Sequence, residues 1–206
     1  MNEWDVQLGK LGSRWKEDVG KPFVVDIGAL DGYFQSAFWH AVTNWGWGGL
    51  MVEPVVRHFK LLQKTYENCH NVICHRGAID ERDGWLYLKV APDDAPMWQW
   101  GSSTAAGVQA EMTSQWSEER VPTCTLQAVL DKYGVSRVDA ISIDTEGMDW
   151  IVLAQLDLER YRPSAVKAEI NLLGADDQLA IQKHFTEHGY EYAILDNVDI
   201  VAWPRP

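Results

Sequence analysis

Apolar positions along this chain follow two alternating rhythms. Short, nearly unbroken apolar runs cover 23–27, 49–52, 72–78, 140–143 and 165–170 and read as buried strands. Between them the apolar residues recur at helical spacing. Phe59, Leu62 and Tyr66 share one face, and so do Leu126, Val129, Leu130 and Tyr133, with Gly134 as a C-terminal stop. Such alternation predicts an α/β protein, a mostly parallel sheet with helices on both faces. Residues 81–84 read as a turn before an alternating strand over 85–90. Towards the C-terminus, a helix over 177–188 stops at Gly189. Strands at 190–195 and 199–203 then form an antiparallel hairpin around Asp196-Asn197. Two stretches depart from the rhythm. Residues 1–20 read as an N-terminal helical segment. Residues 91–122, rich in Pro, Gly, Ser and Trp, read as a substrate-side insertion with a helix over 109–117.

Composition narrows the class. With 206 residues, 46% of them hydrophobic, the chain suffices for a single domain, 1–206, around a sizeable core. A net charge of −12 argues against nucleic acid or an anionic membrane as partner. Cys69, Cys74 and Cys124 include no C-x-x-C pair and read as reduced thiols. The N-terminus lacks a basic region followed by an apolar core, and no apolar run reaches the roughly 20 residues a bilayer needs. The expectation is a cytoplasmic protein acting on a small molecule; whether it forms a homodimer stays open.

Candidate chemistry gathers where strands end. In Phe23-Val-Val-Asp-Ile-Gly-Ala-Leu-Asp-Gly-Tyr-Phe34 an apolar strand delivers Asp26 to a glycine turn, Gly28 to Gly32, and an amphipathic segment follows. A dinucleotide fingerprint needs G-x-G-x-x-G so that backbone can lie against a pyrophosphate. The pattern here is G-A-L-D-G, and Asp31 adds negative charge where a diphosphate would sit. S-adenosylmethionine, with one carboxylate, an ammonium group and a ribose, suits the turn better. Glu53 closes the next strand 21 residues beyond Gly32, the place of an acid that accepts from ribose hydroxyls. Asp144 ends a third strand, Glu146 follows it, and Glu169 closes a fourth. In an open parallel sheet these acids converge on one rim.

Three of these elements, D-I-G-A-L-D-G-Y, Glu53-Pro54 and I-D-T-E-G at 143–147, together with Thr125-Leu126 and His188-Gly-Tyr190, resemble the FkbM family of S-adenosylmethionine-dependent methyltransferases. The resemblance runs from about Phe23 to Trp203. It implies a class I methyltransferase fold, a seven-stranded sheet with one antiparallel strand. It also implies O-methylation of a hydroxyl on a sugar or polyketide-type natural product. By that match Asp26, Gly28, Ala29 and Gly32 surround the methionine moiety, with Phe34 and Ser36 beside them. Glu53 and Pro54 meet the ribose, Ala78-Ile79-Asp80 run along the adenine, and Asp144 lies at the methyl group. Gly101-Ser-Ser103 corresponds loosely to a serine-rich stretch of the family.

Methyl transfer to an alcohol needs a base, and position makes Asp144 the first choice and Glu146 the second. A divalent cation held by Asp144, Glu146 and Glu169 is the less favoured option. It competes with an arrangement in which Glu146 caps its helix and Glu169 pairs with a Lys or Arg. The histidines read as packing or surface residues: His58, His70, His184 and His188 on helices or their ends, His75 on a strand, His40 buried on the first helix. Trp39, Trp45, Trp47 and Trp150 read as packing residues, and Trp98 and Trp100 as candidates for stacking on a substrate ring. Two other functions share the pattern: a nicotinamide-dependent oxidoreductase and a cofactor-binding module without catalysis.

Overall fold

The computed structural model describes residues 2–15, 20–96, 99, 104–105 and 116–206. In chain order the first elements are α1 (Glu3–Trp15), β1 (Phe23–Ile27), α2 (Trp39–Trp45), β2 (Gly48–Val52), α3 (Val56–Thr65) and β3 (Val72–His75). There follow β4 (Ala78–Ile79), β5 (Gly84–Val90), β6 (Thr104–Ala105) and β7 (Ser117–Cys124). The last are α4 (Leu126–Lys132), β8 (Ala140–Ile143), α5 (Asp149–Leu153), β9 (Ala165–Glu169), α6 (Ala175–Glu187), β10 (Tyr190–Leu195) and β11 (Asp199–Pro204).

Seven strands form one sheet in the order β10-β11-β9-β8-β1-β2-β3. β9, β8, β1, β2 and β3 pair in parallel, and β11 lies antiparallel between β9 and β10. The mostly parallel sheet and its antiparallel C-terminal hairpin are thus as the apolar pattern predicts. Asp196 and Asn197 both take left-handed φ (50° and 58°) at the hairpin turn, which short polar side chains tolerate. The central strands are buried on both faces, so their side chains divide between two cores. Val25, Ile27, Leu50, Val52, Ile141 and Ile143 pack towards α4, α5 and α6. Val24, Met51 and Ala140 pack on the other face with Leu8, Leu11, Phe38 and Leu62 of α1, the α2 approach and α3.

The first expectation to change concerns the segment after Gly32. It is not helical until Trp39, because Leu30 and Gln35 adopt left-handed φ (49° and 54°) and break the run. The Ser36 hydroxyl accepts from the amides of Phe38 and Trp39 and so opens α2. The run at 72–78 divides into β3 and β4, which belong to different sheets. The second sheet, in the order β4-β7-β5-β6, also takes up part of the expected insertion. Ser117 opens β7, which runs antiparallel to all of β5, so no helix continues through it. Its charged run Glu118-Glu119-Arg120 hid the alternation, and only Val121 is an inward apolar residue. Residues 109–115 of the expected helix, Gly101-Ser-Ser103, Trp98 and Trp100 lie outside the described residues. A third core, Val55, Leu88, Val90 and Val121, joins this sheet to the start of α3.

Two packing expectations also change. Trp47 is buried, whereas Trp45, in the last turn of α2, is 51% exposed. His40 is exposed, on the outer face of α2, and bonds Asn44 one turn on. His75 packs inside, its Nδ1 3.1 Å from the Tyr133 hydroxyl and its Nε2 3.7 Å from Cys124 Sγ. All three cysteines are free thiols. Among the described residues, no helix is long and apolar enough to cross a membrane.

Candidate functional site

The carboxyl ends of β1, β2 and β8 open into a cleft of about 1060 Å³, mouth included. Its first wall follows from a backbone constraint. Gly28 has φ +85°, and a Cβ there would run into the carbonyl oxygen of Asp144. Only glycine lets the end of β1 lie this close to the end of β8. The amides of Gly28 and Ala29 both donate to the Val52 carbonyl, 3.0 Å each, which ties the same turn to β2.

Of the twelve residues the sequence points to for the cofactor, ten line this cleft: Asp26, Gly28, Ala29, Phe34, Ser36, Glu53, Pro54, Ala78, Ile79 and Asp144. Glu146 lines it too. Asp80 does not line it, and Gly32 stands behind the wall. A Cβ there would meet Tyr66 and Leu62 at 2.6 and 2.7 Å, and its carbonyl accepts from the Tyr66 hydroxyl, so it is a packing glycine. Asp31 does not face the cleft as expected. Its carboxylate turns into its own loop and accepts from the amides of Tyr33 and Phe34. The residue that stands where a dinucleotide turn needs its second glycine is Leu30, which lines the cleft.

Glu53 is 4% exposed and firmly held. Its Oε2 accepts from the Leu30 amide (3.0 Å) and its Oε1 from the Val55 amide (2.8 Å). His58, read as a surface or packing residue, lines the cleft at 1% exposure with Nδ1 3.5 Å from Glu53 Oε1. The i, i+4 spacing of His58 and Leu62 was the signal that could have found it. Lys167 was also missed. It sits on β9 in one cross-sheet row with Ser142 and Asp26, so the three side chains share a face, and its Nζ pairs with Asp199 at 3.1 Å. A lysine inside an otherwise apolar strand was its signal.

The acids around Asp144 are arranged differently from the expected capping scheme. Glu146 has left-handed φ (54°) and is not the cap of α5. α5 has no side-chain cap, and Asp149, its first residue, instead ties down the loop before it. Fully buried, it accepts from the Thr145 hydroxyl (3.0 Å), the Gly147 amide (3.3 Å) and the Glu169 amide (3.2 Å). Among the described residues Glu169 does not pair with a Lys or Arg either, and its buried Oε2 has no hydrogen-bond partner. Carboxylate oxygens of Asp144, Glu146 and Glu169 all lie within 4.8 Å of one another. These three are the residues that can hold a hard cation with oxygen ligands.

Burial with like charge nearby favours the protonated acids. Desolvation, then Asp144 and Asp149, push Glu146 up to about 8. Desolvation, then Asp144, Glu146, Asp149 and Asp199, push Glu169 up to about 9. Burial raises Asp149 to about 7, with Asp144 adding to it. Burial raises Asp26 to about 7 although Lys167 pulls it down, and Asp144 is raised by burial against the same lysine. Burial disfavours the Lys167 ammonium, but Asp199, Asp144 and Asp26 more than offset this and its pKa rises.

A stability prediction follows from these signs. The folded chain keeps protons that the unfolded chain releases near pH 4, so stability falls as pH rises through about 7 to 9. Scanning calorimetry of the ligand-free protein is expected to show a melting temperature that declines steadily from pH 5 to pH 9. A flat or rising profile would contradict the protonated cluster.

Together the strand order, the single antiparallel strand and the cleft at the strand ends define a class I methyltransferase-type fold. A sequence model of the methyltransferase FkbM domain matches residues 26–192, and the chain belongs to this family. Among solved structures, an FkbM methyltransferase from Methylobacillus flagellatus superposes with a TM-score of 0.60 at 14% identity, covering 89% of this chain and 43% of that one. This chain therefore spans less than half of that protein's length. A precorrin-6y C5,15-methyltransferase from Geobacter metallireducens gives a TM-score of 0.52 at 15% identity, over 98% and 87% of the two chains. The N-terminal domain of human METTL16, solved in complex with SAH, gives 0.50 at 12% identity, over 98% and 68%. No curated protein matches the chain in sequence.

Proposed function

We propose that this protein is an S-adenosylmethionine-dependent methyltransferase that O-methylates a hydroxyl of a small molecule, of sugar or polyketide type. The observation that carries the cofactor reading is the Gly28 turn pressed on Asp144, with the Glu53 carboxylate fixed across the same cleft. In this reading Asp26, Ala29, Phe34 and Ser36 surround the methionine end, and Gly28 supplies the close backbone. Glu53 and Pro54 take the ribose, and Ala78 and Ile79 the adenine. When bound, S-adenosylmethionine supplies an activated sulfonium methyl group, which passes to the acceptor oxygen and leaves a thioether. The chain's part is to align the acceptor, exclude water and accept the hydroxyl proton. Asp144 takes that proton, with Glu146 as the second candidate. The human METTL16 domain in complex with SAH is consistent with the cofactor assignment.

Isothermal titration with S-adenosylhomocysteine tests it. Binding in the micromolar range is expected, and none at millimolar ligand would end the cofactor claim. Binding of NAD(H) without S-adenosylhomocysteine would instead support an oxidoreductase, a reading Leu30 disfavours. Cofactor binding without turnover on a broad panel of hydroxylated acceptors would support a binding module. A labelled-methyl screen over sugars, glycosides and polyketide alcohols then identifies the acceptor.

The Asp144, Glu146 and Glu169 cluster favours a second reading of how charge is balanced, by a divalent cation such as Mg²⁺ or Ca²⁺ in place of protons. The proton account expects EDTA to leave transfer unchanged. A fall on chelation that Mg²⁺ restores would place a cation there.

A further inference from the structure

Beside the Glu53 carboxylate, which backbone amides hold, lies a chain of charged and polar side chains. His58 Nδ1 lies 3.5 Å from its Oε1, and the imidazole is 1% exposed. On the far side of the ring, Arg57 Nε donates to His58 Nε2 at 3.0 Å. A guanidinium has donors only, so Nε2 must carry the lone pair and the ring proton sits on Nδ1, towards Glu53. Arg57 Nη1 in turn pairs with Asp93 Oδ1 at 2.8 Å, just past the end of β5. The Val56 amide bonds Glu119 Oε1 of β7 at 2.9 Å, so α3 is fixed to the second sheet at this point.

We propose that His58 is a positioning residue for the cofactor acid: Arg57, anchored on Asp93, sets the imidazole tautomer so that His58 donates to Glu53 and holds its free lone pairs towards the ribose hydroxyls. This rests on the cofactor reading above. Among the described residues, Glu53 at the end of β2 and Arg57 on α3 face the ring directly, Asp93 beyond β5 faces it through Arg57, and Glu119 on β7 holds the neighbouring Val56 amide. A histidine that served only to fill space would be replaceable by any side chain of its size. One that orients Glu53 requires a donor at Nδ1 and loses its effect when Glu53 is gone.

The test is calorimetric affinity for S-adenosylhomocysteine. His58→Ala is expected to weaken binding about tenfold, the scale of a lost hydrogen bond to a charged group. His58→Asn keeps an N–H near the Nδ1 position and recovers most of that loss. Arg57→Lys keeps a cation for Asp93 but removes Nε, and it weakens binding to a similar degree without disturbing the buried ring. In a Glu53→Gln background, His58→Ala costs less than about twofold, because the two residues act as one unit. Equal affinity for wild type and His58→Ala overturns the proposal, as does failure of His58→Asn to recover binding. A full His58→Ala loss that persists without Glu53 does so too. Should His58→Ala not fold, wild-type affinity in Arg57→Lys is sufficient to reject the proposal. A wild type that binds no S-adenosylhomocysteine overturns the cofactor reading itself, and this proposal with it.

Discussion

Gly28→Ala is expected to melt about 10 °C below the wild type and to lose measurable affinity for S-adenosylhomocysteine. The added Cβ would coincide with the Asp144 carbonyl oxygen, a backbone atom at the end of a strand buried on both faces. No flexible side chain can move aside, so β1 and β8 must separate where the cleft opens. The left-handed φ of +85° adds its own strain for any residue with a Cβ. Together these reach about 3 kcal/mol, and at this chain length each kcal/mol corresponds to roughly 2–4 °C. Thermal denaturation with parallel ligand titration checks both parts. Wild-type melting and affinity would show that the turn relaxes and that the close approach is dispensable.

Asp144→Asn carries the second large effect. Asparagine keeps the shape of the side chain and removes the ability to take a proton at neutral pH. If Asp144 is the base, transfer to the acceptor found by the labelled-methyl screen should fall about a thousandfold, within the range general-base catalysis supplies. Affinity for S-adenosylhomocysteine should change far less. A small effect of Asp144→Asn beside a large one for Glu146→Gln would move the base to Glu146, whose pKa near 8 suits proton acceptance in mildly alkaline buffer.

Much of this architecture is legible because the central strands are buried on both faces. An unbroken run such as Phe-Val-Val-Asp-Ile admits one reading, and a left-handed Asp-Asn pair marks the final hairpin. β7 is harder to see because one face is solvated and charged, so Val121 alone has to signal the inward side. The acids of the site are visible for a related reason: each follows an apolar strand, and strand ends share a rim. Partners within that rim are not encoded by position. Nothing in the order of Thr145, Glu146 and Asp149 says which acid folds back onto the Thr145–Gly147 loop. That depends on the left-handed backbone at Glu146 and Gly147. The same holds for Lys167 and His58, whose neighbours Asp199 and Arg57–Asp93 come from other elements or from a side chain turned across its own helix.

The pairing of β4 with β7 bears on how far the chain between them can vary in length. Chain enters the second sheet at Ala78 and leaves it at Cys124, and those two strands lie side by side in parallel. Val90 and Ser117 are likewise paired, so residues 91–116 begin and end at a fixed, closed gate. Lengthening a segment whose ends are already clamped is cheap: doubling it costs only about 0.6 kcal/mol of closure entropy. The cleft wall formed by Ala78, Ile79, Leu86 and Leu88 lies on the near side of that pairing. Insertions and deletions between Ala105 and Ser117 are therefore expected to leave both that wall and the Arg57–Asp93 pair as they are.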